Sequence, residues 1–460
     1  MRQRDPGVEA ARLKKYREYM EQSRLMRKVL ERMQSEGNSV MEDVSMCVLA
    51  PSISSFVLWV LKDALEKGTK RLYFLARDGY FMYRAACILC EEKGIPVECR
   101  YLYCSRYSLR VPMYHLDMEE AMEYICRGGI DVTLKKIFDR SGLTGEERKQ
   151  VSEGLPLPFE EEEVIPYAKL GEVRKALEGS DCFQKYVYRH SREELPALEG
   201  YLRQEGFFEG VTDALVDSGW VGSMQKTVNR VLKHMGRDRE IEGYYWGIYE
   251  LPGGVKKEKY HCYYFSPGGH LREKVYFSNC LFEAVFSAPH GMTVGYEERD
   301  AEYRPRFSRM SRERAGFMEQ TEEYLTVYVK EIAGYISDLS QMDCEEDKKV
   351  IKKLLRLFMG NPTKEEAEVY GALKFSDDVM DDAVRQVAEP LNEAELRANH
   401  AVNKILVMLG IKNGYIRESA WYEGSAARHG RNRRRHLFHY AVYKYLLYIR
   451  NTYFEGEKNV

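Results

Sequence analysis

The sequence predicts an α/β fold built on a mostly parallel sheet. Short apolar runs recur at 71–76 (RLYFLA), 97–105 (VECRYLYCS), 211–217 (VTDALVD) and 241–250 (IEGYYWGIYE). Stretches of helical period separate most of them, as the crossovers between parallel neighbours require. The first run, RLYFLA, is nearly all apolar, and the alternation of helix and strand argues for a sheet covered on both faces. At roughly 150 residues per domain, a chain of 460 residues has room for two or three domains.

Residues 1–36 read as one charged helix with a loose apolar stripe of Leu13, Tyr16, Met20, Leu25, Val29 and Met33, ended by the EGNS turn at 36–39. A helix follows over 52–66, with Phe56, Val57, Val60, Leu61 and Leu65 on one face and Gly68 closing it. The first strand stops at Arg77-Asp78-Gly79, a helix covers 80–92, and Gly94-Ile95-Pro96 turns the chain into the second strand. Residues 116–206 interrupt the alternation with acid-rich helical sequence and read as an insertion over the sheet. Within it, Pro156, Pro158, Pro166 and Glu160–Glu163 form a solvated loop. The alternation resumes with strand 211–217, helix 223–235 and strand 241–250. KYHCYYFSP at 259–267 reads as a further, antiparallel strand, and from about 305 the chain is helical. The expected organisation is therefore an N-terminal charged helix (1–44), a Rossmann-like α/β domain (45–300) containing the insertion, and a helical C-terminal domain (301–460).

Composition excludes several classes. With 70 Lys+Arg against 72 Asp+Glu the chain is near neutral, which argues against nucleic acid as a partner. No apolar run reaches the roughly 20 residues that span a bilayer, and no signal core opens the chain, so a cytoplasmic protein without a membrane span is expected. The ten cysteines include one close pair, Cys87 and Cys90, within an apolar helical stretch. They read as packed thiols, because a zinc site needs four ligands at workable spacing. No metal motif is present, and no cofactor is specified; Mg²⁺ stays open. Near the C-terminus, Arg428, Arg431, Arg433, Arg434 and Arg435 begin a basic helix suited to docking on an acidic protein surface.

Ligands of open parallel sheets bind at the carboxyl ends of the strands, where turns expose N–H groups and helix N-termini favour anions. Three strand ends carry polar residues of the right kind. After the first strand come Arg77, Asp78 and Gly79. After the second come Ser105 and Arg106, an arginine beside hydroxyls that suits phosphate or carboxylate. After the third, Asp217 leads through Ser218, Gly219, Trp220, Val221 and Gly222 into a helix that Ser223 would cap, with Gln225 on its first turn. Each has a bland alternative. Arg77 and Asp78 would form an ion pair fixing their turn, Arg106 would pair with Glu119 or Glu120, and Asp217 would hold a neighbouring loop. Glu283 reads as structural, and His290 with Gly291 would sit on the rim of the same cleft.

Four phrases in order, LYFLARDGYFMY (72–83), YLYCSRYSLRVP (101–112), VDSGWVGSMQKT (216–227) and LFEAVFSAPHG (281–291), resemble the C-terminal region of predicted haloacid-dehalogenase superfamily hydrolases associated with bacterial surface-polysaccharide gene clusters. The resemblance covers about residues 45–300 and implies a role in glycan assembly. In longer relatives a phosphatase domain precedes this region, and the present chain is expected to lack it. Phosphoaspartate chemistry needs a second Asp two residues after the nucleophile. Asp78 and Asp217 lack one, and Asp377, Asp378, Asp381 and Asp382 follow no strand. A weaker similarity to type I phosphoribosyltransferases matches Asp217 to the first acid of their phosphate loop and Gly222-Ser223 to its end, with Ser218 in place of the second acid.

The combined expectation is a protein that binds a phosphorylated sugar or nucleotide-sugar-like ligand, with Asp78 and Asp217 as catalytic candidates. Arg77, Gly79, Ser105, Arg106, Ser218, Gly219, Gly222, Ser223, Gln225 and His290 are the ligand-binding candidates. If it is an enzyme, it is a hydrolase or transferase. The alternatives are a phosphoribosyltransferase-like enzyme, or a non-catalytic partner of a glycan-assembly enzyme docking through the basic C-terminal helix.

Overall fold

Apolar side chains on both faces of a strand force helices onto both sides of the sheet, and the computed structural model has this form. It describes residues 6–32, 39–128, 132–375, 385–408, 411–412 and 416–452. Met33 and the four aspartates at 377, 378, 381 and 382 lie outside the described residues. Five strands, β1 (Arg71–Leu75), β2 (Glu98–Leu102), β3 (Asp213–Trp220), β4 (Glu242–Ile248) and β5 (Tyr260–Phe265), form a single sheet in the order β2-β1-β3-β4-β5. All neighbours are parallel. This is one of the common doubly wound orders, and its direction of winding reverses between β1 and β3.

β5 corrects the sequence reading, which made it antiparallel. It pairs parallel to β4. The connection at 249–259 carries no α-helix, only a short 3-10 turn at Lys257–Lys259, but is long enough to return the chain to the opposite edge.

Alternating side chains separate the two faces. Leu72, Phe74, Val216, Tyr244 and Trp246 point into the larger core, shared with helices Val40–Glu66, Tyr80–Lys93, Arg312–Ala333 and Cys344–Gly360. Tyr73, Leu75, Leu102 and Leu215 face the other way, against helices Asp181–Gln204 and Ser223–His234. The insertion has its own apolar cluster, running from Val111 to Val187, while Leu198, Tyr201 and Leu202 at its end join the sheet. A β6–β7 hairpin, Thr293–Arg299 with Glu302–Phe307, packs beside it and was not expected.

Two helices differ from expectation. The N-terminal segment is not one helix but Pro6–Met20 followed by Arg24–Arg32. Ser23 sits at the break: its hydroxyl accepts from the Met26 N–H (3.0 Å) and donates to Asp347 (2.5 Å). The stripe docks as expected, with Tyr16, Met20 and Val29 buried.

The helix foreseen from residue 52 instead begins at Val40, capped by the Ser39 hydroxyl, and runs to Glu66. Pro51 has no N–H to give, and the turn before it, Ser45–Leu49, widens to a π-helix instead of breaking. At 27 residues, with an 18-residue window of mean hydropathy 2.0, this helix is long and apolar enough to cross a bilayer, contrary to the sequence reading. The window is 94% buried inside the protein, and Ser52 and Ser54 satisfy their hydroxyls on the carbonyls of Val48 and Ala50. It is the central helix of the larger core.

The N-terminal helices are held to the C-terminal ones by a buried charge network. Arg12 donates to both oxygens of Glu366 (2.8 and 2.7 Å), which also accepts from the Tyr16 hydroxyl (2.5 Å). Glu366 exposes only 3% of its side chain. Removing one partner of a buried pair strands the other. Glu366→Ala should therefore lower the unfolding free energy by about 3 kcal/mol, read from urea denaturation; a loss indistinguishable from a surface substitution would refute this docking.

Candidate functional site

Because every strand runs the same way, their polar ends lie along one edge of the sheet. Phe74 of β1 pairs with Val216 of β3, so the turn after β1 lies level with Asp217 and Ser218. Gly79 lets that turn fold back closely, since a Cβ there would stand 2.5 Å from the carbonyl oxygen of Leu75. Asp78 is thereby brought to Ser218, whose hydroxyl donates to its carboxylate at 2.6 Å. On β3, Gly219 takes φ +105°, and a Cβ would meet the Gly247 carbonyl of β4 at 2.5 Å. Trp220 follows in the left-handed region at φ +64°, a conformation that costs a bulky residue of order 1 kcal/mol or more. Its indole N–H donates to Glu283 of helix Asn279–Val285 at 2.6 Å. A strained tryptophan and a tight glycine thus bring a third carboxylate to the same edge.

Asp78 perturbs both Asp217 and Glu283. Burial, then the negative charge of Asp78, push the Asp217 carboxyl up to about 7, against the N–H groups of Ser218 and Gly219 that donate to it. The same two causes push Glu283 up to about 8. Burial raises Asp78, with the Ser218 hydroxyl and the arginines 77, 106 and 314 opposing. Near neutral pH this edge therefore holds exchangeable protons. Arg106, on the helix after β2, is exposed and makes no hydrogen bond or ion pair with its side chain among the described residues, yet its field reaches all three carboxyls.

The opposite edge of the sheet shows what structural charges look like. There Asp213 is paired with Arg237 (2.5 Å) and Arg239 (2.8 Å), and Arg71 with Glu98 and Glu209 (2.6 Å each). Those clusters are closed by short ion pairs.

Several expected ligand contacts have other work. Ser105 is the N-cap of helix Arg106–Arg110, accepting from the Ser108 N–H and donating to the Thr293 carbonyl (2.7 Å). Gln225 is buried and fully engaged, donating to the carbonyls of Ile241 and Lys259 and accepting from the Tyr245 hydroxyl. Ser223 is not a cap: Gly222, at φ +65°, is the N-cap with no side chain, and Ser223 is the first helical residue. That helix thus starts with its N–H groups free of any side-chain cap. His290 has both ring nitrogens engaged, Nδ1 with the Gly291 carbonyl (2.7 Å) and Nε2 with the Tyr101 hydroxyl (2.8 Å), and burial keeps it neutral. Glu120 pairs with Arg230, not with Arg106.

Glu283, Trp220 and Arg314 are the members of the edge that sequence reasoning passed over or set aside. The aspartates announce themselves by ending strands, whereas Glu283 and Arg314 arrive on helices far along the chain. Two concavities elsewhere are lined by none of the cluster's residues. One is lined by Arg110, Tyr114, Asp117, Tyr124, Thr227 and Arg230, the other by Tyr107, Ser108, Gly142, His190, Glu194 and Gly295. Among the described residues no group of three or more His, Cys, Asp or Glu side chains has an arrangement that would hold a metal ion. No family model matches the chain, and no curated protein matches it.

An unfolded aspartate ionises near pH 4. Between about pH 4 and 7 the folded protein keeps on Asp217 a proton that the unfolded chain releases, so stability falls as pH rises through that window. Asp217→Asn keeps an acceptor oxygen and removes the charge. It should raise unfolding free energy at pH 8 by on the order of 2 kcal/mol and change it little at pH 4; denaturation across that range checks it, and a wild-type slope would count against it.

Proposed function

We propose that the protein binds a phosphorylated sugar or nucleotide-sugar-like ligand at the carboxyl edge between β1 and β3, in cytoplasmic steps of surface-polysaccharide assembly. The observation that carries the reading is the charge set there: an exposed arginine, Arg106, that makes no ion pair among the described residues and whose field reaches three carboxyls at the reversal point of a doubly wound sheet. Arg106 and Arg77 would hold the anion. The uncapped N–H groups after Gly222 would bind phosphate oxygens. Asp217 and Glu283, with proton affinities near neutrality, suit general acid and base roles at the ester or glycosyl oxygen, which favours a hydrolase or transferase. Asp78, held by Ser218, would orient a hydroxyl instead of attacking phosphorus. The resemblance of the four phrases to proteins of glycan clusters supports the same substrate class.

A second reading draws on the C-terminal helix Arg433–Arg450. Arg431, Arg434 and Arg435 are exposed and make no ion pair among the described residues, beside an exposed Phe438. Arg433 instead bonds Asn361 and is partly buried. Such a surface fits an acidic protein partner.

Differential scanning against sugar phosphates, nucleotide sugars and phosphoribosyl diphosphate, with and without Mg²⁺, separates the readings. Ligand should raise Tm by several degrees at saturating concentration, and Arg106→Ala should abolish the shift while leaving the unliganded Tm within a degree or so. If no phosphate ester stabilises the protein, and charge reversal at Arg434 and Arg435 removes a co-purifying partner, the docking reading replaces this one.

A further inference from the structure

Where the start of the insertion meets the crossover helix Ser223–His234, a cleft is lined by Arg110, Tyr124 and Arg230 among others, and by none of the three carboxyls of the sheet edge. Arg110 ends the short helix after β2, and its guanidinium lies over the Tyr124 ring at 4.5 Å. Its Nε is buried without a hydrogen-bond partner, and no acid pairs with it among the described residues. The two carboxylates that line the cleft are committed elsewhere. Asp117 and Glu120 both pair with Arg230, and Asp117 also accepts from the Glu120 N–H at 3.0 Å. Burial lowers the proton affinity of Arg110, and the charges of Arg106 and Arg230 act in the same direction. Arg306 and Arg433 also bury an unbonded Nε, but each places another nitrogen on a partner, Glu194 and Asn361 respectively.

We propose that this cleft is a second anion site, which takes a phosphate group on the Arg110 guanidinium. A cation drawn out of water is costly unless a counter-charge reaches it, and here the nearest carboxylates serve Arg230 instead. The Tyr124 ring covers one face of the guanidinium and holds its plane, while the N–H fork that lies in that plane stays unbonded. Such a fork matches two oxygens of a phosphate. A dianionic phosphate is favoured over a singly charged carboxylate, because Arg106 and Arg230 add their positive field at the same place. Bound there, the phosphate would neutralise Arg110 at a junction that Arg230 already ties to Asp117 and Glu120. A phosphorylated compound would then tighten the insertion against the helix that starts after Gly222. The site stands apart from the carboxyl edge and does not rest on the ligand proposed for it.

Isothermal titration of the full-length protein with inorganic phosphate, at constant ionic strength, tests the assignment. Arg106→Ala removes an anion-holding arginine of the carboxyl edge, and this variant should still bind one phosphate. Adding Arg110→Gln should weaken that binding by at least about tenfold. Arg110→Lys keeps a charge over the Tyr124 ring but not the fork, so it should fold as the wild type does and bind phosphate several-fold more weakly. Acetate should bind more weakly than phosphate, and the unliganded Tm of Arg110→Gln should stay within about 2 °C of wild type. No phosphate binding, binding unchanged by Arg110→Gln, acetate as tight as phosphate, or a larger fall in Tm would each overturn the site. If Arg106→Ala alone abolishes phosphate binding, the cleft is excluded and the carboxyl-edge reading stands.

Discussion

The constraint on which the rest depends is that all five strands point the same way. Parallel neighbours cannot be joined by tight turns, so the chain must leave the sheet and return after each strand. These excursions supply the covers that the two apolar faces need: Leu72 and Phe74 find helices on one side, Tyr73 and Leu75 on the other. The same constraint collects every strand's last residues along one edge. There the chain turns outward, N–H groups lose their strand partners, and polar side chains are tolerated. The winding reverses between β1 and β3, where two crossovers diverge.

Desolvation then sets the chemistry of that edge. Each carboxyl there is destabilised by burial, and Asp217 and Glu283 also by the charge of Asp78, which brings those two to neutrality. Local geometry maintains the arrangement. Gly79 and Gly219 let backbone pass where a methyl group would collide, and Trp220 accepts an unfavourable φ in order to reach Glu283. At the other end of the sheet the charges cancel within hydrogen-bond distance, which is how a purely structural cluster resolves the same cost.

Much of this was legible from the residues. The α/β class, the first four strands and the crossover helices follow from periodicity and glycine punctuation, and the meeting of Asp78 with Ser218 follows from strand ends alone. The failures have specific causes. The β6–β7 hairpin escaped notice because its turn, Asp300-Ala301, takes positive φ at both residues without the glycine that usually signals it. β5 was given the wrong direction because strand direction leaves no mark in composition. The helix over 52–66 was begun twelve residues late because a π turn that absorbs a proline has no sequence signature. Ser105 and Gln225 were misassigned because a polar residue at a strand end can serve the backbone as readily as a ligand.

Trp220 gives the carboxyl edge an optical handle. Of the four tryptophans, Trp246 and Trp421 are sealed in apolar surroundings and Trp59 stacks on Phe56, whereas Trp220 alone donates its indole N–H to an ionisable group of the site. Its emission colour is therefore tied to the ionisation of Glu283, and the molecule carries an intrinsic fluorescent indicator of its own protonation state.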